Sequence, residues 1–348
     1  MFLIIDGSSL LTTYYYGTLP AEVAKEKDTA KQEKLYHLIR HTRNGIYTNA
    51  IAGTLRCILN IIRYQKPSHL AVVLDRSRDT FRRKLYPQYR ANRPDRPEPL
   101  EQQMRTLKDI LTKIGIRVLD SSTYEADDLA ASIVKKFESP YEEICVLSKD
   151  HDWLQMVGEH TSAWMLQSSE DKVIGLRNKH YASLPTRRLS EYINIPNKTF
   201  RFDADIVYSE EGVTPCQIPD LKALTGDSAD NIPGVSGIGP AVAAPLLGEY
   251  KTVEGIYAAI DSCGNDKEQE DALAEYWKIF LGIRRNPLQK LKDGKENAIL
   301  SKQLATVVTD IPVLDSMAAY ECHVNRKILL SALSHFGINE LQEIAEEL

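Results

Sequence analysis

The chain has 348 residues, of which 43% are hydrophobic and 26% charged, and its net charge is −5. This composition is that of a soluble globular protein, and the length allows one large domain or two ordinary ones. No apolar run approaches the length of a membrane span, no secretory leader pattern is present, and the five scattered cysteines lack CxxC spacing, which argues against a disulfide framework or a zinc site.

We therefore expect a cytoplasmic protein without membrane contact.

The first half of the chain alternates strand and helix patterns. Apolar runs predict strands at 2–6 and 69–75, with an amphipathic helix between them. A helix over 100–114, a strand at 116–120, a helix starting near Glu125 and a strand at 142–148 follow. This alternation favours a parallel sheet covered by helices on both faces.

Nine carboxylates in separate segments lie where strands end or helices begin. They are Asp6, Asp75, Glu125, Asp127, Asp128, Asp150, Asp152, Asp227 and Asp230. Because the carboxyl ends of parallel strands meet at one sheet edge, we expect these side chains to converge. Any one of them could be a helix cap or a solvated acid, but crowded carboxylates need cations, and oxygen ligands suit Mg²⁺ or Mn²⁺. The pattern favours a divalent-metal site.

A basic segment with aromatic residues stands out in this acidic chain. Its basic residues are Arg76, Arg78, Arg82, Arg83, Lys84, Arg90, Arg93 and Arg96. Phe81, Tyr86 and Tyr89 are interleaved with them, and only Asp79 and Asp95 oppose them. Such a segment can contact phosphates and bases, although a solvated charged face is the alternative.

The glycine-rich run GVSGIG at 234–239 follows a short helical pattern at 221–224 and precedes Pro240, which suits the start of another helix. The backbone N–H groups of such a turn can hold a phosphate, whereas a purely structural turn is the alternative. Lacking GK[ST], it is no nucleotide P-loop.

Residues 24–34 are expected to form a surface helix or insertion, and 158–204, with proline turns at Pro185 and Pro196, carry no assigned function.

In order, the motifs IIDGSS, VVLD, FRRKLYPQYRANR, YEADD, SKDHD and LTGDSADNIPGVSGIG closely resemble the 5′ nuclease domain of bacterial DNA polymerase I and the phage-type flap endonucleases. The resemblance covers almost the whole chain, since SKQLATVVTDIP is similar to the closing segment of that domain. It implies an α/β fold: a PIN-like (resolvase-like) parallel-sheet core with a helical arch, plus a helix-three-turn-helix (helix-hairpin-helix) DNA-binding domain. The implied limits are 1–204 for the catalytic domain, with an arch near 76–100 and an insertion near 158–204, then 205–295 for the DNA-binding domain and 296–348 for a C-terminal segment packing on the core.

The resemblance implies a stand-alone, structure-specific 5′-3′ exonuclease or flap endonuclease that hydrolyses DNA with two divalent cations in replication or repair. The cations would be Mg²⁺, or alternatively Mn²⁺, and K⁺ at the glycine hairpin is a further candidate. The first metal would be surrounded by Asp6, Asp75, Glu125 and Asp127, with Asp128 beside it, and the second by Asp150, Asp152, Asp227 and Asp230. Catalytic roles are implied for Arg90, Asp6, Asp75, Asp127 and Asp150, and DNA contacts for Arg82, Arg83, Tyr89, Arg90, Arg93, Gly234, Gly237 and Gly239.

The implied partners are DNA with 5′ ends, flaps or nicks and a separate DNA polymerase and ligase, and a monomer is expected.

The sequence departs from the resemblance in its basic residues. Arg90 stands where a lysine is usual, Thr12 and Thr13 replace a Tyr-Arg pair, and Ala241 replaces a lysine. Pro245 is expected to kink or shorten its helix. These departures predict intact chemistry and leave the DNA affinity open.

Three other hypotheses remain. A non-catalytic protein that binds branched DNA would keep the fold and accounts for the missing hairpin cations. An RNA-directed PIN-type nuclease shares the acidic core but normally lacks the arch and the glycine hairpin. A nucleotide-binding α/β enzyme fits the sheet but not the acids.

Overall fold

The computed structural model of the protein describes residues 1–139, 143–182, 196–264, 266–313 and 316–348. A six-stranded sheet has the order β3-β2-β1-β4-β5-β6. The strands are β1 (Phe2–Asp6), β2 (His69–Asp75), β3 (Arg117–Ser121), β4 (Ile144–Ser148), β5 (Thr161–Leu166) and β6 (Thr199–Phe202). The first five pair in parallel, and β6 lies antiparallel to β5 at one edge. The mostly parallel sheet confirms the predicted fold class, whereas the sequence did not indicate the antiparallel edge strand.

Helices cover the sheet and form most of the C-terminal half. The described helices that precede β6 in the chain are α1 (Gly7–Gly17), α2 (Ala21–Lys25), α3 (Thr29–Lys34), α4 (Asn49–Gln65), α5 (Phe81–Leu85), α6 (Glu98–Lys113), α7 (Ala126–Phe137) and α8 (Glu170–His180). Those after it are α9 (Ala204–Glu211), α10 (Ile218–Thr225), α11 (Pro240–Tyr250), α12 (Val253–Ser262), α13 (Lys267–Phe280), α14 (Leu288–Asp293), α15 (Lys295–Ala305), α16 (Arg326–His335) and α17 (Gln342–Glu346).

The core has two layers, one on each face of the sheet. Phe2 and Ile4 of β1 are fully buried in the layer that includes α7 and the helices from α9 to α15. Leu3 and Ile5, which alternate with them, are fully buried in the other layer, with α1, α4, α6, α16 and α17. Because neighbouring strand residues point to opposite faces, an unbroken apolar run such as FLII requires cover on both sides.

The stretch 158–204 contributes strands β5 and β6, and therefore part of the sheet, in addition to helix α8. This corrects its interpretation as only an insertion, because a strand beside β4 extends the central hydrogen-bond ladder. Residues 183–195, which include Pro185, lie outside the described residues, as does residue 142 at the predicted start of β4. The domain limits at 204 and 295 stay predictions.

Two helical predictions differ from the structure. Helix α11 continues through Pro245 to Tyr250, so the expected shortening was wrong. Within the predicted arch (residues 76–100), the helix between β2 and α6 is the five-residue α5, and residues 86–97 are irregular. In the described ranges, no helix combines the length and apolarity that crossing a bilayer requires.

Candidate active site

Carboxylates gather at the carboxyl edge of the sheet. Asp6 ends β1, Asp75 ends β2, and Asp150 follows β4 by two residues. These three strands are neighbours with parallel register, so their ends lie side by side. The N–H of Ala126, at the start of α7, donates to Asp75 Oδ1 at 2.9 Å, which ties that helix to the same edge.

Asp6 is held at the tight junction between β1 and α1. Its Oδ1 accepts a 2.8 Å hydrogen bond from the Ser9 N–H, and its Oδ2 accepts one of 2.7 Å from Ser148 Oγ. The junction requires Gly7, since a Cβ there would lie 2.6 Å from Val72 Cγ1 on β2. Burial raises the pKa of Asp6 to about 7, and the nearby carboxylates of Asp75 and Asp150 add to the rise. The folded site therefore favours added positive charge.

The first turn of α7 supplies three more carboxylates. Glu125 is the N-cap, and its N–H donates to Asp128 Oδ2 at 3.0 Å in a capping box. Asp127 Oδ1 accepts a 2.7 Å bond from the Asp128 N–H. Burial raises the pKa of Asp127 well above its usual range; Arg82 opposes the rise, and the charges of Asp128 and Glu125 add to it.

Arg82, predicted to contact DNA, is buried with its side chain 1% exposed. Its two terminal nitrogens donate to the two oxygens of Asp128 at 2.7 Å each. It also donates to Leu304 O at 2.8 Å and to Thr306 O at 3.0 Å, while Asp128 Oδ1 accepts a bond of 2.8 Å from the Val308 N–H. Direct contact of Arg82 with DNA is therefore not supported. The pair instead joins the predicted arch, α7 and the segment after α15, and both oxygens of Asp128 are engaged by protein.

The second predicted carboxylate group meets around Lys222 of α10. Lys222 Nζ lies 2.6 Å from Asp227 Oδ2 and also contacts Asp152 Oδ1. Burial raises the pKa of Asp150. The positive charge of Lys222 opposes this rise, and the negative charge of Asp230 adds to it. Lys222 therefore joins two members of the predicted group, Asp152 and Asp227. The assignment of all four carboxylates to one metal stays a prediction.

The predicted arch bends over both groups through Tyr89, Arg90 and Arg93. The Tyr89 hydroxyl lies 3.1 Å from Glu125 Oε2 and 3.1 Å from Asp230 Oδ2. Arg90 Nη1 pairs with Glu125 at 2.8 Å and Arg90 Nε with Asp230 at 2.9 Å, while Arg93 also pairs with Asp230. Tyr89 is 3% exposed, so in this conformation its ring offers no surface on which a base could stack.

Hydrogen bonds from two asparagine side chains and one backbone N–H fix this part of the predicted arch, residues 88–93, against the loop 228–231. Asn92 Nδ2 donates to Ser228 O at 2.7 Å, and Asn231 Nδ2 donates to Gln88 O at 2.7 Å. The Arg90 N–H donates to the backbone oxygen of residue 230 at 2.9 Å, with Arg90 in the left-handed region at φ 53°. The two asparagines thus help to set where the arginines lie.

Gly234 of the glycine hairpin is buried and has a packing role. Its N–H donates to Ser301 Oγ of α15 at 2.9 Å, so it is not free to hold a phosphate. Its φ is +60°, and a Cβ there would lie 2.2 Å from Gly226 N. Only glycine fits this close backbone approach.

Gly237 and Gly239 lie further along the hairpin and are more accessible. Gly237 is exposed with φ +74°, and its carbonyl accepts a 3.2 Å bond from Lys290 Nζ of α14. A Cβ on Gly239, the N-cap of α11, would meet nothing within 4 Å. Lys290 therefore places a cation beside the hairpin, where Ala241 provides none.

Sequence reasoning missed Lys222, Lys290, Ser148 and Thr80, whose hydroxyl donates to Glu125 Oε1 at 2.8 Å. Lys222 and Ser148 flank predicted carboxylates in the chain, which is the one signal that could have indicated them. Lys290 lies far from the hairpin in sequence, so only the fold shows its place.

The site has the donor chemistry of a divalent-metal centre. Across the ranges that the structure describes, no three His, Cys, Asp or Glu side chains form a preassembled metal site. Protein cations contact these carboxylates instead, namely Arg82, Arg90, Arg93 and Lys222. The donors are nevertheless all oxygens, and the raised pKa values of Asp6 and Asp127 indicate a demand for positive charge, so the residues fit hard divalent ions.

The fold and the site define a resolvase-like α/β class with a helical second domain, and two family models match the chain in that order. The N-terminal resolvase-like domain of 5′-3′ exonucleases matches residues 1–181, and the C-terminal SAM fold of 5′-3′ exonucleases matches residues 213–327. The chain belongs to the 5′-3′ exonuclease family, as the sequence motifs indicated.

Relatives and solved structures agree with this family. The chain is 33% identical over 272 residues to a DNA polymerase I of Caldicellulosiruptor bescii, covering 78% of this chain and 27% of the relative. It is 30% identical over 313 residues to one of Streptococcus pneumoniae, covering 89% and 29%. The chain thus spans less than a third of the length of these curated relatives. A flap endonuclease of bacteriophage T5, solved as a pseudo-enzyme-product complex with DNA and metal ions, shares the fold with a TM-score of 0.54, 21% identity and 99% coverage of both chains.

Proposed function

We propose that the chain is a structure-specific 5′-3′ exonuclease and flap endonuclease that hydrolyses DNA phosphodiester bonds with two divalent ions. The observation that carries the proposal is that carboxylates at the ends of β1 and β2, at the start of α7 and after β4 and α10 lie near one another and near Arg90 and Arg93. Family membership and the metal-containing T5 structure support it.

The residues divide into two ligand groups. The first is Asp6, Asp75, Glu125 and Asp127, and the second is Asp150, Asp152, Asp227 and Asp230. When bound, two Mg²⁺ or Mn²⁺ ions supply a water of lowered pKa and stabilise charge on the phosphate and the leaving oxygen. Asp128 orients Glu125 and Asp127 through the capping box and the Asp128 N–H.

Arg90 and Arg93 are the cations that meet the phosphate in this proposal. As permanent charges they stabilise the negative charge that develops there, provided that they first exchange Glu125 and Asp230 for the substrate. Gly237, Gly239 and Lys290 are positioned to contact the duplex, because exposed hairpin N–H groups and an adjacent ammonium favour a phosphate. K⁺ at this hairpin stays a candidate.

Cleavage of a 5′-flapped DNA duplex tests the proposal. The wild-type chain is expected to cut in Mg²⁺ and in Mn²⁺ but not in EDTA. Asp150→Asn, which replaces one carboxylate with an uncharged amide of nearly the same shape, should lose most of the activity. Equal cutting by both proteins, or cutting in EDTA, would contradict a metal-dependent mechanism.

Two further outcomes separate the rival functions. Tight binding of flapped DNA without turnover in any metal would favour a non-catalytic protein, a rival motivated by the pairing of the carboxylates with protein cations. Faster cleavage of matched RNA would favour an RNA-directed nuclease.

The proposed setting is DNA replication or repair. The polymerase I relatives motivate a polymerase acting on the same DNA, and a ligase would seal the resulting nick. A monomer and a cytoplasmic location stay predictions.

A further inference from the structure

Two adjacent apolar side chains are exposed at the end of helix α13. Ile279 is 62% exposed and Phe280 is 71% exposed, which makes them the two most exposed large apolar side chains among the described residues. The ring of Tyr276, one turn earlier, stacks on Phe280 with a centroid distance of 5.1 Å and an interplanar angle of 30°. A single exposed apolar residue is ordinary, whereas a contiguous patch with charged residues around it is typical of a surface that binds protein.

The patch belongs to an exposed face of α13. Trp277 is the one buried residue of this helix, and its indole N–H donates to the Tyr250 hydroxyl at 2.8 Å. On the side away from Trp277, an exposed stripe runs along the helix through Glu268, Ala272, Glu275 and Ile279. Residues three and four apart lie on one face of an α-helix. This face is therefore apolar at its C-terminal end and acidic toward its N-terminal end.

Two arginines follow the helix directly. Gly282 has φ +68°, and the Ile283 N–H donates back to Trp277 O at 3.1 Å, so a glycine C-cap ends α13. Arg284 and Arg285 come next, and both are exposed. Neither side chain forms an ion pair or a hydrogen bond within the ranges that the structure describes. Their charges are therefore available to an acidic partner.

The charges of this surface are complementary to one another. The two arginines lie beyond the C-terminal end of α13, and the exposed acids Glu268, Asp271 and Glu275 lie along the helix. If two such helices meet antiparallel about a two-fold axis, the basic end of each reaches the acidic part of the other. The same acids would repel the continuous negative charge of a nucleic-acid strand. A second copy of the chain therefore fits this surface better than DNA does.

We propose that α13 is the contact surface of a reversible homodimer in which two copies of the helix pack antiparallel. With the two-fold axis at Tyr276, Phe280 of each copy lies over Ala272 of the other, whose small side chain leaves room for the ring. The same axis brings Arg284 beside Glu268, since these two residues are also equally spaced about Tyr276 in the sequence.

The size of the contact sets its strength. A helix of 14 residues is about 21 Å long and about 10 Å wide, which is small beside the roughly 800 Å² per partner of a standard stable interface. The dimer therefore dissociates on dilution, and the monomer expected from the sequence is its dilute form.

Pairing through α13 leaves the glycine hairpin at a distance. The Tyr276 hydroxyl donates to Glu249 Oε1 at 2.6 Å, near the C-terminal end of α11, whereas Gly239 caps the N-terminal end of that helix. The two ends are about 15 Å apart along the helix axis. Self-association can therefore be measured separately from DNA binding and from cleavage.

Sedimentation velocity of the full chain, without DNA or metal, tests the pairing. The weight-average sedimentation coefficient is expected to rise with protein concentration. Ile279→Ser should weaken the association by about tenfold, because it removes apolar area from the centre of the contact. Ile174→Ser is the matched control, since that isoleucine is 52% exposed on another helix, α8. A monomer coefficient that stays constant at every concentration, or an equal effect of the two substitutions, would overturn the proposal.

Charge reversal tests the orientation of the two helices. One variant combines Arg284→Glu with Arg285→Glu, and another combines Glu268→Arg with Glu275→Arg; all four side chains are exposed, and circular dichroism checks that both variants fold. Each variant alone is expected to lose association, because like charges then meet across the contact. An equimolar mixture should regain it, since every cross-contact then joins opposite charges. Folded variants that stay apart in the mixture would rule out the antiparallel dimer.

Discussion

Arg82 and Asp128 form a bidentate ion pair with both N···O distances at 2.7 Å, and the two side chains are 1% and 0% exposed. The pair links the predicted arch to the helix that carries Glu125 and Asp127. Arg82 also donates to Leu304 O at the end of α15 and to Thr306 O just after that helix. Three segments distant in sequence thus depend on one guanidinium.

Arg82→Met is expected to destabilise the fold by about 3–5 kcal/mol, because it leaves the buried Asp128 charge without its partner. Arg82→Lys keeps the charge but loses the fork geometry, so its effect should be intermediate. Urea unfolding measures both. The exposed Arg105→Gln should stay within about 0.5 kcal/mol of wild type. A change below about 1 kcal/mol for Arg82→Met would show that the pair contributes little.

Lys222→Gln is expected to tighten binding of a divalent ion at the second carboxylate group, since the Lys222 ammonium competes for Asp152 and Asp227. Removing a partly exposed pair of this kind changes the free energy by about 1 kcal/mol, or roughly fivefold in affinity. Mn²⁺ titration followed by electron paramagnetic resonance counts bound ions directly. Lys290→Gln, beside the hairpin, is the matched control. Weaker Mn²⁺ binding in Lys222→Gln would mean that the lysine orients the ligands.

Asp6 is expected to contribute stability to the metal-free protein at low pH that is lost as pH rises from about 4 to 7. Asp6 keeps its proton to about pH 7 when folded but loses it near its ordinary pKa of 3.8 when unfolded. The folded state therefore binds more protons in this window, and the extra stability present at low pH is lost as Asp6 ionises.

Asp6→Asn should flatten this pH profile, with an effect of at most about 4 kcal/mol. Added Mg²⁺ should flatten it as well, because a cation favours the ionised carboxylate. Urea unfolding at pH 4.5, 6 and 7.5 is the measurement, with the exposed Asp271→Asn as control. An unchanged slope in Asp6→Asn would assign the pH dependence to other groups.

Asn92→Ala is expected to loosen residues 88–93 from the loop 228–231, since it removes the 2.7 Å bond to Ser228 O. The loss of about 1 kcal/mol corresponds to roughly fivefold faster opening. Hydrogen exchange at the Arg90 amide, which donates to the backbone at residue 230, reports it. Asn297→Ala on the exposed side of α15 is the control, and unchanged exchange would show that other contacts hold the segment.

The candidate site could be predicted in part from the sequence because carboxylates at the ends of parallel strands must share an edge. Asp6, Asp75 and Asp150 follow this rule directly, and family motifs added the acids at Asp227 and Asp230. Arg82 could not be placed in this way. An arginine among several in a basic run has the same local pattern whether it is exposed or buried.

The glycine hairpin, too, could be predicted only in part from the sequence. Its glycines were evident, but the engagement of Gly234 with Ser301, 67 residues later, was not. Lys290 likewise reaches Gly237 only because α14 packs beside the hairpin.

The sequence by itself determined the alternation of strands and helices, the cover on both faces of the sheet and the edge at which the acids lie, because these follow from periodicities within about ten residues. Only the tertiary structure decided which cations face which carboxylates, that Arg82 is buried while Arg83 is exposed, and that five arginines line one small cavity. Those outcomes depend on contacts between segments distant in the chain, whose geometry no local pattern contains.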